Sequence, residues 1–201
     1  MTIEINHIVL CKVTELGDDF LIEIAKLHRS CMPETLTSLR GLKTTMSLYR
    51  QLLLTGGEIH LLTKNHLIIG VITISTNYRA LASAKSLRLN MSSWFKVVSQ
   101  VGFKQLFIMV RDSLNVSNLM VRDTKDFLYI STLYVHQEYQ GQGLASSLID
   151  FAQSVALSEQ RPILVDTRQT NTSACRLYDS KSFIRRGATS LSYLYEWDCR
   201  K

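Results

Sequence analysis

Apolar and polar residues along the chain follow two rhythms, one of period two and one near 3.6. Residues 7–13, HIVLCKV, read as a strand, and Phe20, Leu21, Ile24 and Leu27 then recur at helical spacing until Pro33 stops them. Leu39, Leu42, Met46, Tyr49, Leu52 and Leu53 mark the buried stripe of a second helix that ends at Gly56-Gly57. Residues 58–63 and 66–74 flank Lys64-Asn65, a connection short enough for a hairpin. Residues 79–120 read as one or two basic amphipathic helices with Leu87, Met91, Trp94, Phe95, Val98 and Val101 on one side.

The rhythm then changes. Residues 127–135, FLYISTLYV, form a nearly continuous β-branched and aromatic run, as a strand covered on both faces requires. Leu144, Ala145, Leu148, Ile149, Ala152, Val155 and Ala156 return to the helical period, so a helix begins near Gly143. Residues 162–167 read as a strand, 173–181 as a helix and 192–197 as a last strand. The expected class is α/β with a mixed sheet.

Composition narrows this further. A chain of 201 residues, 46% of them hydrophobic, has material for a core without staples, and with 9 Gly and 2 Pro it offers few linker signals. One domain over 1–201 is the expectation. Cys11, Cys31, Cys175 and Cys199 show no ligand spacing, and the first residues lack the basic region of a secretory signal, so free thiols and a cytoplasmic location are expected. His7, His28, His60, His66 and His136 also lack ligand spacing, so no metal is expected and each reads as an ordinary surface or strand residue. The net charge of +6 is uneven: Arg79, Lys85, Arg88, Lys96, Lys104 and Arg111 face one acid, Asp112. Such a block suits phosphates, an anionic acceptor or a membrane surface, or is a solvated face.

Candidate chemistry concentrates at Gly141-Gln142-Gly143, between a strand and a helix start. A helix start presents unpaired N–H donors and a partial positive charge, and glycines let an anion approach the backbone. A P-loop would need Lys and Ser or Thr after its last glycine, where Leu144 and Ala145 stand. A dinucleotide fold gains some support from Asp166, but its third glycine is Ser146, and four polar residues separate strand from glycines. The segment QGQGLA, with Gln140, Gly143 and Ala145 in the defining places, resembles the Q/R-x-x-G-x-G/A acyl-CoA signature of the GNAT acetyltransferase superfamily. A second stretch, NTSACRLYDSKSF, is similar to that family's N-x-x-A-x-x-L-Y-x-x-x-G-F helix at Asn171, Ala174, Leu177, Tyr178 and Phe183, departing only at Ser182. The resemblance covers residues 123–197 well and 7–74 loosely.

The resemblance implies a central, mostly antiparallel, twisted mixed sheet flanked by helices, with a helical insertion at about 79–120. It implies acetyl-CoA as cosubstrate, its pyrophosphate held by backbone N–H groups of Gln140, Gly141, Gln142, Gly143, Leu144, Ala145 and Ser146, with Asn171 and Tyr178 nearby. Backbone donors at Leu133, Tyr134 and Val135 would polarise the acetyl carbonyl, and Tyr178 would serve the departing thiolate. An alkylamine is about one part in two thousand neutral at pH 7, a cost of about 4 to 5 kcal/mol, so a base is expected. Asp166 is the first candidate and Asp126 and His136 the alternatives, because the strand positions used by other members hold Tyr129 and Ser131. The expected activity is N-acetyl transfer to a small-molecule or glycan amine, or to a peptide, with no nucleic acid as partner. A CoA-binding module without catalysis and a membrane-surface or nucleic-acid binder using 79–111 are the competing readings. Strands at 183–186 and 192–197 could pair across a homodimer.

Overall fold

In a computed structural model of the chain, the described residues are 3–5, 8–13, 17–78, 91–123 and 126–200. His7 and the basic and apolar positions Arg79, Lys85, Leu87 and Arg88 lie outside them.

Among the described residues eight strands build one sheet: β1 (Ile3–Ile5), β2 (Ile8–Lys12), β3 (Glu58–Lys64), β4 (Leu67–Ser75), β5 (Leu128–Val135), β6 (Ile163–Arg168), β7 (Ile184–Ala188) and β8 (Ser192–Trp197). Their order is β1-β2-β3-β4-β5-β6-β8-β7. Only β5 and β6 run parallel; every other neighbour is antiparallel. This is the mixed, mostly antiparallel sheet expected. β8 is paired on both sides, by β6 and β7, so it has no edge to offer a second copy, and of the two strands nominated for that role only β7 lies at a sheet edge.

Among the described residues seven helices cover the sheet: α1 (Asp18–Cys31), α2 (Leu36–Leu39), α3 (Leu42–Leu54), α4 (Met91–Val101), α5 (Phe103–Asp123), α6 (Leu144–Glu159) and α7 (Thr172–Ser180). None of the described helices is long and apolar enough to cross a membrane. On one face, Leu21, Ile24, Leu48, Tyr49 and Leu52 of α1 and α3, with Val116 and Met120 of α5, pack on Ile59, Leu61, Val71, Tyr129 and Leu164. On the other, Leu144, Leu148, Ile149 and Ala152 of α6, with Cys175 and Tyr178 of α7, pack on Ile72, Ile74, Ile130, Val165 and Tyr195. Alternation along each strand sends successive side chains to these two cores.

Local chemistry explains where expectation and structure part. The second helix is two helices, because Gly41 adopts φ of 98°, outside any right-handed helix, after Thr35 Oγ1 has capped α2 by accepting from the Ser38 N–H at 3.2 Å. The hairpin turns at Asn65-His66, one residue later than expected, with both residues left-handed at φ of 49° and 66°. In α4 Val97 is fully buried, whereas Phe95, grouped by periodicity with Trp94, Val98 and Val101 on one side, is 71% exposed.

Candidate active site

The site begins with a misfit in the sheet. β5 and β6 pair only at Leu128–Ile163, Tyr129–Leu164 and Ile130–Val165, after which both strands continue unpaired with each other. On its other side β5 follows β4, but the register shifts, with Thr73 opposite Thr132 and Ile74 opposite Ile130. Ser131 is the extra residue of a β-bulge. Beyond it the Thr132 N–H reaches the Thr73 hydroxyl at 3.0 Å and the His136 N–H donates to the Ile69 carbonyl at 2.7 Å. Strand alternation therefore turns the N–H groups of Leu133 and Val135 into the gap beside β6, while that of Tyr134 faces β4. The expectation that Tyr134 presents a donor there is corrected by this alternation. Its side chain points the other way too, with Oη 2.8 Å from that of Tyr49.

The glycine loop stands at the wide end of the gap. A 3-10 turn at Gln137–Tyr139 leads into it, and the Gln140 amide donates back to the Val135 carbonyl at 2.9 Å, so this side chain braces the loop. Gly141 and Gly143 take φ of 75° and 78°, in the left-handed region, and a Cβ on either would meet nothing within 4 Å. Gly143 precedes α6 with no side-chain cap. The first N–H bonded back to it is that of Ser147, at 3.0 Å, which leaves the N–H groups of Leu144, Ala145 and Ser146 without an intrahelical partner. Uncapped donors, a helix dipole and clearance at two glycines fit a diphosphate. Exposed Gln142 donates to the Glu138 carbonyl at 3.3 Å.

Asp166 and Tyr178 approach the gap from opposite faces. The Asp166 carboxylate accepts from the Tyr129 hydroxyl at 2.7 Å on the face of α1, α3 and α5. Burial, and then the Asp166 charge, push the Tyr129 phenol well above its ordinary pKa, so it stays protonated and donating. Tyr178 lies in the opposite core, with ring centroids 5.5 Å from Phe183 and 5.3 Å from Tyr195. Burial first, then the Asp166 charge, raise its pKa as well. Among the described residues nothing pairs with the Tyr178 hydroxyl. Asn171, nominated as a ligand contact, uses its side-chain oxygen to cap α7 by accepting from the Ala174 N–H at 3.1 Å.

The other base candidates make local contacts of their own. Asp126 forms an ion pair with Arg161 at 2.6 Å beside the first residues of β5, the end of the strand away from the glycines. His136 is spent on the 3-10 turn, its Nδ1 accepting from the Glu138 N–H at 3.3 Å.

A cavity of about 1320 Å³ opens on the Asp166 face, walled by α1, α2, α3 and α5 and floored by Tyr129, Ser131, Thr132 and Asp166. Two polar groups, His28 in its wall and Thr73 beneath its floor, escaped the sequence reading. His28 is buried on α1, not an ordinary surface or strand residue, with Nδ1 2.8 Å from the Tyr49 hydroxyl. The Thr73 hydroxyl lies 2.7 Å from that of Ser131 and 2.8 Å from that of Thr132. The signal for His28 was present, since it continues the Leu21–Ile24 stripe at helical spacing. Among the described residues no group of three or more His, Cys, Asp or Glu could hold a metal. The four cysteines are free.

A family model described as the acetyltransferase (GNAT) family matches residues 23–183. The chain belongs to the GNAT acetyltransferase family. The match spans β5, the glycine loop, α6, β6 and α7 of this GNAT chain. Comparison with curated protein sequences finds no significant match. Solved structures share the fold at low identity. A protein from Pyrococcus horikoshii OT3 aligns with TM-score 0.64 and 13% identity over 95% of this chain and 98% of its own. The NatC complex bound to Gag peptide and CoA gives 0.59 and 17% over 96% and 98%. A GNAT family acetyltransferase from Elizabethkingia anophelis with acetyl-CoA bound gives 0.55 and 12% over 96% and 99%.

Proposed function

We propose that this chain transfers the acetyl group of acetyl-CoA to a primary amine of a small molecule or glycan precursor. The observation that carries the reading is the unpaired stretch of β5 and β6 beside an uncapped, unobstructed glycine loop. The N–H groups of Gly141 to Ser146 would hold the diphosphate. Acetyl-CoA supplies the activated acetyl thioester. The N–H of Leu133 or Val135 would stabilise charge on the carbonyl oxygen. Asp166, on the cavity face, would take the proton lost by the amine as the C–N bond forms. Tyr178, protonated and without a partner among the described residues, would donate to the sulfur as the C–S bond breaks. Amine and thioester are thus brought together from two faces of one sheet, and proximity supplies much of the rate.

Arg40, Lys43 and Arg168 share the cavity wall with Glu34, Asp112 and Asp166, so the lining carries both signs and its cationic side chains would meet an anionic group of the acceptor. A second reading, transfer to a peptide amine, draws on the cavity volume of about 1320 Å³, which is more than a sugar needs. The test is thiol release from acetyl-CoA across a panel of amino sugar nucleotides, aminoglycosides, polyamines and peptides. Release with amino sugars supports the first reading and exclusive peptide acetylation the second. CoA binding without turnover on any amine would overturn both.

A further inference from the structure

We infer that an exposed apolar stripe on α5, with Phe95 of α4, seats the protein on an anionic lipid bilayer. The observation is independent of the acetyl-transfer chemistry. Phe103, Phe107, Val110 and Leu114 follow one another on α5 at spacings of four, three and four, which places them in a single stripe. Phe103 is 75% exposed, Phe107 61% and Leu114 61%, and on α4 Phe95 is 71% exposed. Aromatic and aliphatic side chains so fully presented along one helix stripe are more than scattered exceptions.

The charges beside the stripe identify what covers it. Lys104 and Arg111, both exposed and seven residues apart, form a parallel line along α5. From Arg79 to Arg111 the sequence has six basic residues and no Asp or Glu. The next acid, Asp112, is buried and turned inward, accepting from Ser190, the Leu191 N–H and Ser192 at 2.7 to 3.0 Å. The exposed side of α5 is thus apolar along the stripe and positive at its flank, the pattern of an interfacial helix on acidic headgroups. A second copy of the chain fits it poorly. An isologous dimer would set the patch against itself and bring Lys104 and Arg111 of one copy toward those of the other with no acid between them. Met109, Val116 and Ser117 of the same helix line the cavity, and so do Val110 and Leu114 of the stripe, so a seated protein would hold the cavity beside the lipid.

Co-sedimentation of the full chain with vesicles of phosphatidylcholine containing phosphatidylglycerol tests this, with pure phosphatidylcholine vesicles as the neutral arm. Binding to the anionic vesicles is expected, weakened by added salt. Phe103→Ser with Phe107→Ser should lower the partition coefficient by about tenfold or more, and Lys104→Glu with Arg111→Glu should remove the preference for anionic lipid. An unchanged melting temperature and CoA binding in both variants would show that the fold and the cleft survive. The inference is overturned if the unaltered chain stays in solution with anionic vesicles, or if the serine variant binds as well as the parent. It is also overturned if ultracentrifugation shows a dimer that the same phenylalanine substitutions dissociate. Failure here leaves the amine panel untouched, and failure there leaves vesicle binding untouched.

Discussion

Tyr178 and Ser182, four residues apart at the end of one helix, make opposite demands on their surroundings. The Tyr178 ring is buried, yet its hydroxyl has no partner among the described residues, so Tyr178→Phe should change unfolding free energy by less than about 1 kcal/mol. If the phenol serves the departing sulfur, kcat in the thiol-release assay falls about a hundredfold or more in the same variant. Ser182 instead carries strain. It occupies φ of 62°, where the family pattern has glycine, so the sequence departure falls on a left-handed residue. Ser182→Gly should raise stability by about 0.5 to 1 kcal/mol in urea titrations without altering turnover, since relief of strain exceeds the entropy glycine adds to the unfolded chain. Asp166→Asn keeps an oxygen to accept from Tyr129 but cannot take a proton, so kcat/KM should fall and the acid limb of its pH profile disappear, with the melting temperature little changed. These residues were legible because their motifs are local. His28 and Tyr49 were less so, since they meet from two helices, and composition does not record which helix faces which.

Among elements, the glycine loop and α6 were the most readable part of the chain, because turn residues and an apolar stripe determine them within a few positions. The bulge at Ser131 was not readable: nothing in a continuous β-branched run marks the residue that loses its partner. The break at Gly41 and the three-residue β1 were missed for related reasons, one being a backbone angle and the other an edge strand held by β2 alone. Gly143→Ala should separate the loop's two duties. A left-handed alanine costs about 1 to 2 kcal/mol, and its methyl enters the space above the uncapped N–H groups. Calorimetry should therefore show a loss of CoA affinity exceeding what the modest destabilisation explains. Asp112 shows long range most clearly. In sequence it was only the acid opposing a basic run, but it ties α5 to the turn before β8. Burial alone would raise its pKa, yet bonds from Thr189, Ser192, Leu191 and Ser190 outweigh that and hold it below the usual carboxylate range. Asp112→Ala should cost about 3 kcal/mol by stranding those donors, measured by chemical denaturation.

At the scale of the molecule, acidity should act through a cluster remote from the gap. His60 is buried on β3, its Nε2 2.8 Å from Glu58 and its ring 4.5 Å from that of Phe151 on α6, while Lys12 of β2 pairs with Glu58. Burial holds the His60 pKa below its ordinary value even against Glu58. The folded state then binds fewer protons than the unfolded one, so stability present above about pH 6.5 is lost as pH falls through the lower folded value. Burial alone would raise Glu58, but bonds from Lys12 and His60 lower it, so its share is lost in a later, more acid window. Urea midpoints at about pH 7.5 and about pH 5.5 should show the first loss, and His60→Gln should flatten it. The sheet itself divides into five strands and three, joined by only three residue pairs between β5 and β6. A molecule lying in that gap would act as a rung stitching two panels along an open seam. Deuterium uptake should then slow most at the amides of Leu133 and Val135, far more than in the hairpin of β3 and β4, whose bonds are already closed.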